Sequence, residues 1–427
     1  MPGSPPTAAR RAPTHVLVVN QHGDNTGDEA AIRGMLDGLA EQIGDARFTV
    51  LHQFRERSSE VDTGHDVRWI PLVLPPLEAV RLVLYSLLQL LGVRSRALLG
   101  TTGRAVVDAY DTADLVVSAP GGPYFGDPYW SHEPVHWFYV WLARWRRLPT
   151  ALYAPSTGPF RKRLLNPLRR LTYRCFDVVT LREERSAEYL RELVGDDVGF
   201  EVTVDAALQQ QVPPLDRDDW VVRTGHGGEP LGDRFLLVVS AIDFPYPGDP
   251  DPAARRRRYD EAIVAAVRRV VERAGGPDRV HVAFMPQLHS AQHTDVPYLT
   301  RLGRMLGDEV SWEVVADSAS SIVQRSRFAA ADLVIAGRYH PAVFAVSAGV
   351  PVLCIPYEHK AAGLMEAAGQ SAHVVDLDEV EASRLERAVD ELFDRRDEVA
   401  KELAEVEPVL RARSRRTSEL VAGLLQG

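Results

Sequence analysis

The sequence predicts an α/β protein of two doubly wound domains facing each other across a cleft, and three observations carry that prediction. First, 427 residues at 45% apolar content make room for two domains or three at ~150 residues each. Second, short β-branched runs alternate with helical patterns along most of the chain. Third, one aperiodic stretch divides that alternation into two similar halves.

In the first half, residues 16–20 (VLVVN) form a β-branched run. A loop bearing Gly23, Asp24, Asn25 and Gly27 follows it, and residues 29–39 then place apolar side chains at helical spacing, the signature of strand, loop and helix. Residues 48–51, 115–118, 150–153 and 178–181 repeat the strand signal, each a continuous apolar run of the kind a buried parallel strand needs. Residues 15–210 therefore read as one N-terminal α/β domain. Residues 211–234, with Pro213, Pro214, clustered charges and four glycines, lose all periodicity and read as a linker. The alternation restarts with strands at 235–240, 280–284, 333–336 and 350–355, and residues 380–425 are helical by pattern, with Leu385, Val389, Leu392 and Phe393 on one face. Residues 235–427 form the second α/β domain with its C-terminal helices. Residues 1–14, rich in Pro, Ala and Arg, read as a disordered tail.

Composition removes several classes of function. Lys and Arg total 49 against 59 Asp and Glu, a net charge of −10, which disfavours a nucleic-acid partner. Cys175 and Cys354 are the two cysteines, too few for a thiolate zinc cluster or a disulfide framework, and they suit a reducing cytoplasm. The apolar stretch 82–93 is broken by Ser86 and Gln89 and is shorter than the ~20 residues that span a bilayer. With Arg94 and Arg96 it reads as a core helix, a contact between copies in a homo-oligomer, or at most a peripheral membrane contact at the inner face. No G-x-G-x-x-G, Gly-Lys-Ser/Thr, H-E-x-x-H or G-x-S-x-G pattern is present, so neither a dinucleotide, a P-loop, a metal nor an acyl-enzyme is expected.

The candidate chemistry lies in loops that follow strands, where open α/β sheets bind ligands. Gly337-Arg338-Tyr339-His340-Pro341 places Arg338 and His340 at a helix N-terminus, where free N–H groups and the helix dipole favour an anion. Alone, Arg338 reads equally as half of an ion pair and His340 as a turn cap; together they favour a bound anion. Lys360 follows the next strand and starts another helix. Arg182 ends the strand at 178–181 and points to the cleft or pairs with a neighbour such as Glu183. Asn25 and Asp28 follow the first strand, with Asp28 a candidate helix cap. Gly121 and Gly122 allow close approach of a ligand or make a tight turn. Tyr124, Phe125, Tyr129 and Trp130 form either a sugar-stacking wall or core, and Ser156 sits in a further loop leading to the basic run 161–174.

Taken in order, N-x-G-D-E-A at 25–30, Gly121-Gly122, S-x-G-P at 156–159, L-R-E-x-x-S at 181–186, V-D-A at 204–206, G-R-x-H at 337–340 and Y-x-x-K at 357–360 resemble the polysaccharide pyruvyl transferase family. The resemblance implies two Rossmann-like domains arranged as in the GT-B glycosyltransferases. It also implies transfer of pyruvate from phosphoenolpyruvate, a co-substrate, to a sugar or glycoconjugate acceptor, carrier-linked or free, as a ketal. The N-terminal domain would then hold the acceptor and the C-terminal domain the donor. Phosphoenolpyruvate would lie against Arg338, His340, Lys360 and Arg182, with His340 as proton donor and Asp28, or failing that Asp205, activating the sugar hydroxyl. Asn25, Gly121, Gly122, Tyr124 and Ser156 would serve the acceptor side. The alternatives are a glycosyltransferase with a nucleotide-sugar donor and a non-catalytic sugar or phosphate binder. The chain departs from the family pattern after the strand at 235–240, where Ala241, Ile242 and Asp243 stand in place of an arginine.

Overall fold

The protein is described by a computed structural model over residues 12–22, 25–53, 63–72, 75–92, 95–224, 227–288, 294–317 and 319–426. The first half supplies strands β1 (Thr14–Gln21), β2 (Ala46–His52), β3 (Val67–Pro71), β4 (Leu115–Ser118), β5 (Gly121–Phe125), β6 (Thr150–Leu152), β7 (Pro155–Thr157), β8 (Val178–Leu181) and β9 (Glu201–Val202). Seven of them form one sheet in the order β3-β2-β1-β4-β6-β8-β9, while β5 and β7 pair separately just past β4 and β6. Every pairing is parallel. The order reverses between β1 and β4, which opens a crevice at their carboxyl ends.

Helix α1 (Thr26–Ile43) leaves β1 at that crevice and covers one face of the sheet, where Ile32, Met35 and Leu36 meet Val16, Val18 and Val50. The opposite face carries α2 (Pro76–Leu90), α3 (Thr101–Thr112) and α4 (Glu133–Trp145) over Leu17, Val19 and Val116. Next to them lie α5 (Asn166–Tyr173) and α6 (Glu184–Val194). Alternate residues of β1 thus feed two separate cores, as a strand's period of two requires.

The second half begins with a hairpin, β10 (Val221–Thr224) and β11 (Gly227–Pro230). Its five-stranded parallel sheet has the order β14-β13-β12-β15-β16, from β12 (Phe235–Ser240), β13 (Val280–Phe284), β14 (Ser311–Val314), β15 (Leu333–Ala336) and β16 (Val352–Cys354). Helices α7 (Pro252–Arg273), α8 (Val296–Leu306), α9 (Ser321–Ala329), α10 (Tyr339–Ser347) and α11 (His359–Ala367) pack around it, and α12 (Ala382–Gly423) ends the chain.

Three boundaries differ from the sequence reading. Thr14 already pairs with Ala46, so the strand starts inside the expected tail; residues 1–11 lie outside the described residues. The expected linker 211–234 is folded: Trp220 and Leu231 are buried in the second core, and the Arg217 guanidinium donates to Asp332 at 3.1 Å. Its many glycines and charges hid two apolar anchors. The last helix belongs to both halves. Leu385, Val389, Leu392 and Leu403 of α12 pack on the second core, while Val421 joins the first. Near that end, Ser414 Oγ donates to the Asp205 carbonyl at 2.7 Å. Periodicity shows that a helix has an apolar face, but not which sheet it covers.

Helix α1 joins the halves as well as α12. At Gly34 a Cβ would come within 2.0 Å of the Ala206 carbonyl oxygen, so the helix lies directly against the 206–209 turn. Ala30 reaches the second core. Buried Glu29 accepts from the Ser321 N–H at 3.0 Å, from Ser321 Oγ at 3.1 Å and from Arg33 Nε at 3.1 Å. A carboxylate of the first half thereby caps a helix of the second.

Glu29→Ala removes the carboxylate that Arg33 and the first turn of α9 share. It is expected to lower unfolding free energy by about 1–3 kcal/mol in urea titration and to separate one transition into two. A loss below ~1 kcal/mol with one transition would contradict this account of the junction.

Candidate active site

Three helix N-termini meet where the two sheets face each other. Helix α1 follows β1, α10 follows β15 and α11 follows β16, so each begins at the carboxyl end of a parallel strand. Between them lies a cavity of about 220 Å³, lined by Asn25, Asp28, Arg182, Arg338, His340 and Lys360, with Tyr129, Tyr339 and Tyr357 among its other walls. The far wall, Gln287 and Leu288, is tied to the α1 loop: Asn25 forms a β-bridge with Leu288, and the Thr26 N–H donates to the Gln287 carbonyl at 3.4 Å. Of the three helices only α1 has a side-chain cap. Asn25 Oδ1 accepts from the Asp28 N–H at 2.7 Å, while Arg338 and Glu358, at the cap positions of α10 and α11, make no capping hydrogen bond. Two bare helix ends directed at one cavity favour negative charge within it.

Glycines bring the walls this close. At Gly27 a Cβ would overlap the His340 ring, 1.8 Å from Nδ1, so α1 and α10 touch only because that side chain is missing. At Gly337 a Cβ would meet the Tyr259 hydroxyl at 2.8 Å and the Ser240 carbonyl at 3.1 Å. Gly337 is therefore needed for packing rather than for a left-handed turn.

Each cation at the cavity has a carboxylate behind it. Arg338 Nη2 donates to Asp295 Oδ1 at 2.6 Å, and the other oxygen of Asp295 accepts from the Gln287 and Leu288 N–H groups, both at 3.0 Å. One buried acid thus fixes both the guanidinium and the opposite wall. The Arg338 Nε–H is buried with no hydrogen-bond partner, as is His340 Nε2. Lys360 Nζ is 2.7 Å from Glu358. Arg182 is the most enclosed: its Nε donates to Ser156 Oγ at 2.8 Å, its Nη1 to Asp205 at 2.6 Å, and its guanidinium lies 4.4 Å from the centre of the Tyr339 ring. The same ring carries Lys360 Nζ at 5.8 Å, so the negative face of one buried aromatic supports two cations.

Burial separates the titrating groups. It pushes the Asp28 carboxyl up to about 6, against the pull of the Lys360 ammonium and the Asn25 amide. It pushes the His340 imidazole down to about 3, against the attraction of Asp205. His340 is therefore neutral in the ligand-free protein, unlike the protonated donor expected from an unperturbed imidazole. Burial opposes ionisation of Asp205 too, but Arg182 overrides it and holds that carboxyl below its usual range.

The cavity gathers Asn25, Asp28, Arg182, Arg338, His340 and Lys360, and leaves out several residues singled out by sequence. Asp205 does not line it. One of its oxygens accepts from Arg182 and the other from the Ala207 N–H, so it positions Arg182. Ser156 is buried between Arg182 and Glu183. Gly121 and Gly122 belong to β5, and Gly121, with φ 125°, lies outside the cavity lining. Phe125 is core, against the stacking-wall reading, whereas Tyr129 does line the cavity; the Tyr124 side chain lies outside the described residues. The cap of α1 is Asn25, not Asp28.

The sequence gives no motif at Asp295, and Tyr339 drew no notice between Arg338 and His340. His22 drew none either; its Nε2 lies 2.8 Å from His136 Nε2, so that one ring donates and the other accepts. Burial and His136 push His22 down to about 3. The position of His22 directly after the first strand was the available signal.

The amylovoran biosynthesis protein AmsJ of Erwinia amylovora is 21% identical over 411 residues, covering 91% of this chain and 94% of its own. Among solved structures, sucrose-phosphate synthase of Thermosynechococcus elongatus matches with a TM-score of 0.58 at 12% identity over 97% of this chain and 99% of its own. The UDP-GlcNAc 2-epimerase of Neisseria meningitidis, solved with UDP-GlcNAc, matches with a TM-score of 0.55 at 14% identity over 97% and 100%. These likenesses establish a GT-B-like fold of two α/β domains. The family profile for polysaccharide pyruvyl transferase matches residues 25–359, from the cap of α1 to the first residue of α11, and the chain belongs to that family.

Proposed function

We propose that the protein transfers pyruvate from phosphoenolpyruvate to two hydroxyls of a sugar as a cyclic ketal, releasing phosphate, during assembly of a glycan or glycoconjugate. The observation that carries this reading is the buried Arg338 Nε–H, without a partner among the described residues, beside Lys360 and two uncapped helix N-termini. A group carrying both phosphate and carboxylate would satisfy them. Cavity size also favours a small donor: about 220 Å³ is below the ~300–1,000 Å³ of sites for drug-sized ligands, which weighs against a nucleotide sugar.

The acid and base follow from the separated pKa values. Asp28, at about 6, gives a proton to the methylene carbon of the donor, which becomes a methyl group. Neutral His340 takes the proton of the first sugar hydroxyl as its oxygen bonds to C2. The bond from C2 to the phosphate oxygen then breaks, and phosphate leaves with the electron pair. A second hydroxyl adds to the resulting cation and closes the ring. One hydroxyl proton balances the proton given to carbon, and the other leaves with phosphate. This assignment reverses the roles expected from sequence, because burial neutralises the imidazole and raises the carboxyl. The nearness of AmsJ, a protein of amylovoran biosynthesis, supports a polysaccharide or its precursor as acceptor.

Phosphoenolpyruvate incubated with candidate glycosides is expected to release phosphate and to yield a product heavier by one carboxyethylidene group. Phosphate release unaffected by acceptor, or tight binding of a uridine nucleotide with no effect of phosphoenolpyruvate, would sink the proposal.

Arg338→Ala removes charged donors worth ~1.5–3 kcal/mol each, so calorimetry should find phosphoenolpyruvate binding weakened by roughly ten- to a hundredfold. His340→Ala should instead lower kcat by about 10²–10⁴ with little change in that affinity. Wild-type values in both variants would remove these residues from the site.

Asp28→Asn makes two linked predictions. The folded carboxyl titrates above its unfolded value of 3.8, so its stabilising contribution is present below that value and lost as pH rises through about 6. At about pH 7.5 the amide variant should therefore melt higher than the wild type, the gap closing on acidification towards pH 4. The decline of kcat/KM above about pH 6 that a proton donor imposes on the wild type should vanish in the same variant, along with most turnover. A variant that melts lower at every pH would contradict the burial argument.

A further inference from the structure

The face of the first sheet that carries α2, α4 and α5 is unusually apolar for a surface. Helix α2 buries Leu82 and Tyr85 but leaves Leu77 61% and Val80 62% exposed, together with Val83, Leu84 and Leu87. An apolar groove of about 420 Å³ runs between α2 and the start of α4, with Ala79 and Val83 on one side and Val135 and Phe138 on the other. Past α4 the band continues through exposed Trp130 to Leu164, 94% exposed, and to Leu168 and Leu171 on α5. Contiguous apolar patches of this kind mark an interaction surface.

The charge around the band identifies the partner. Residues 161–174 contain six Arg and Lys and no acid in a chain of net charge −10. Buried Arg169 is spent internally on Glu133 at 2.7 Å. Arg161, Lys162 and Arg163 are exposed at the tip of the segment, held there by Asp127, which accepts from the Arg161 N–H at 2.7 Å and the Lys162 N–H at 3.2 Å. Lys162 Nζ rests 5.1 Å from the centre of the Trp130 ring. Cations beside exposed leucines and a tryptophan are what an anionic lipid surface binds, headgroups to the charges and the acyl boundary to the apolar side chains. A second copy fits less well, since a two-fold contact would place the same cations against each other.

We infer that this face docks on a bilayer containing anionic lipid. Among the described residues no helix is long and apolar enough to cross a membrane, so the contact is peripheral. Trp130 in the band adjoins Tyr129, which lines the cavity, and docking would bring the mouth of that cavity to the lipid surface. An acceptor sugar attached to a lipid would then be presented to it. The docking claim rests on the face alone and is measured without donor or acceptor, so its failure would leave pyruvyl transfer untouched.

The test is co-sedimentation with vesicles. The full-length protein should sediment with vesicles of equal parts phosphatidylglycerol and phosphatidylcholine at low salt, and much less with phosphatidylcholine alone. The charge reversal Lys162→Glu with Arg163→Glu should lower the partition coefficient by at least about tenfold, since each cation at such a surface contributes roughly fivefold. Leu164→Ser should weaken binding to the same vesicles, and because this side chain is 94% exposed, the melting temperature should not move. Absence of wild-type binding, or variants that bind equally well, would overturn the inference. So would a concentration-dependent dimer in light scattering that the leucine variant abolishes.

Discussion

The site depends on how closely α1 approaches the second half of the chain. Gly27 lets the helix start against the His340 ring, and Gly34 lets it continue against the 206–209 turn. Glu29, between them, accepts hydrogen bonds from the first turn of α9. One helix of the N-terminal half therefore acts as a wedge whose position sets the width of the cavity. A side chain at 27 would force the halves apart and move Asp28 away from Lys360 and His340. The glycines are selected by close packing and not by backbone handedness, since neither lies in the left-handed region.

Electrostatics then decides what the cavity does. Arg338, Lys360 and Arg182 are each backed by a carboxylate, which keeps the cations fixed in a ligand-free site at the cost of part of their attraction for an anion. The bare ends of α10 and α11 add partial positive charge that no side chain neutralises. In these surroundings a carboxyl and an imidazole exchange their ordinary order, with Asp28 near 6 and His340 near 3. An arriving polyanion raises both values, because it favours the protonated form of each group. Donor binding and the loading of a proton are thus coupled through the same cavity.

Much of this was legible in the residues. Continuous apolar runs such as 115–118 and 333–336 located the central strands, since parallel strands covered on both faces are apolar at every position. Arg338, His340 and Lys360 stood out because they follow strands, and parallel topology brings all such loops to one edge. What stayed hidden was set by contacts distant in sequence. Asp205 looked like a spare acid until the fold placed Arg182 against it, and Asp295 gave no sign that it would hold both Arg338 and the 287–288 wall. Gly27 looked like a turn residue, although its role is to face an imidazole 313 positions later. The helical pattern of 380–425 carried no indication that its far end returns to the first domain.

Calorimetric titration with phosphoenolpyruvate, repeated in buffers of different ionisation enthalpy, tests the central claim most directly. At about pH 7.5, where the donor's phosphate is almost fully ionised, one binding site per chain and net uptake of protons from solution are expected. That uptake should fall when Asp28 is replaced by asparagine. Binding with no proton uptake, or uptake that the substitution leaves unchanged, would show that the ligand does not sit against Asp28 and would contradict the account.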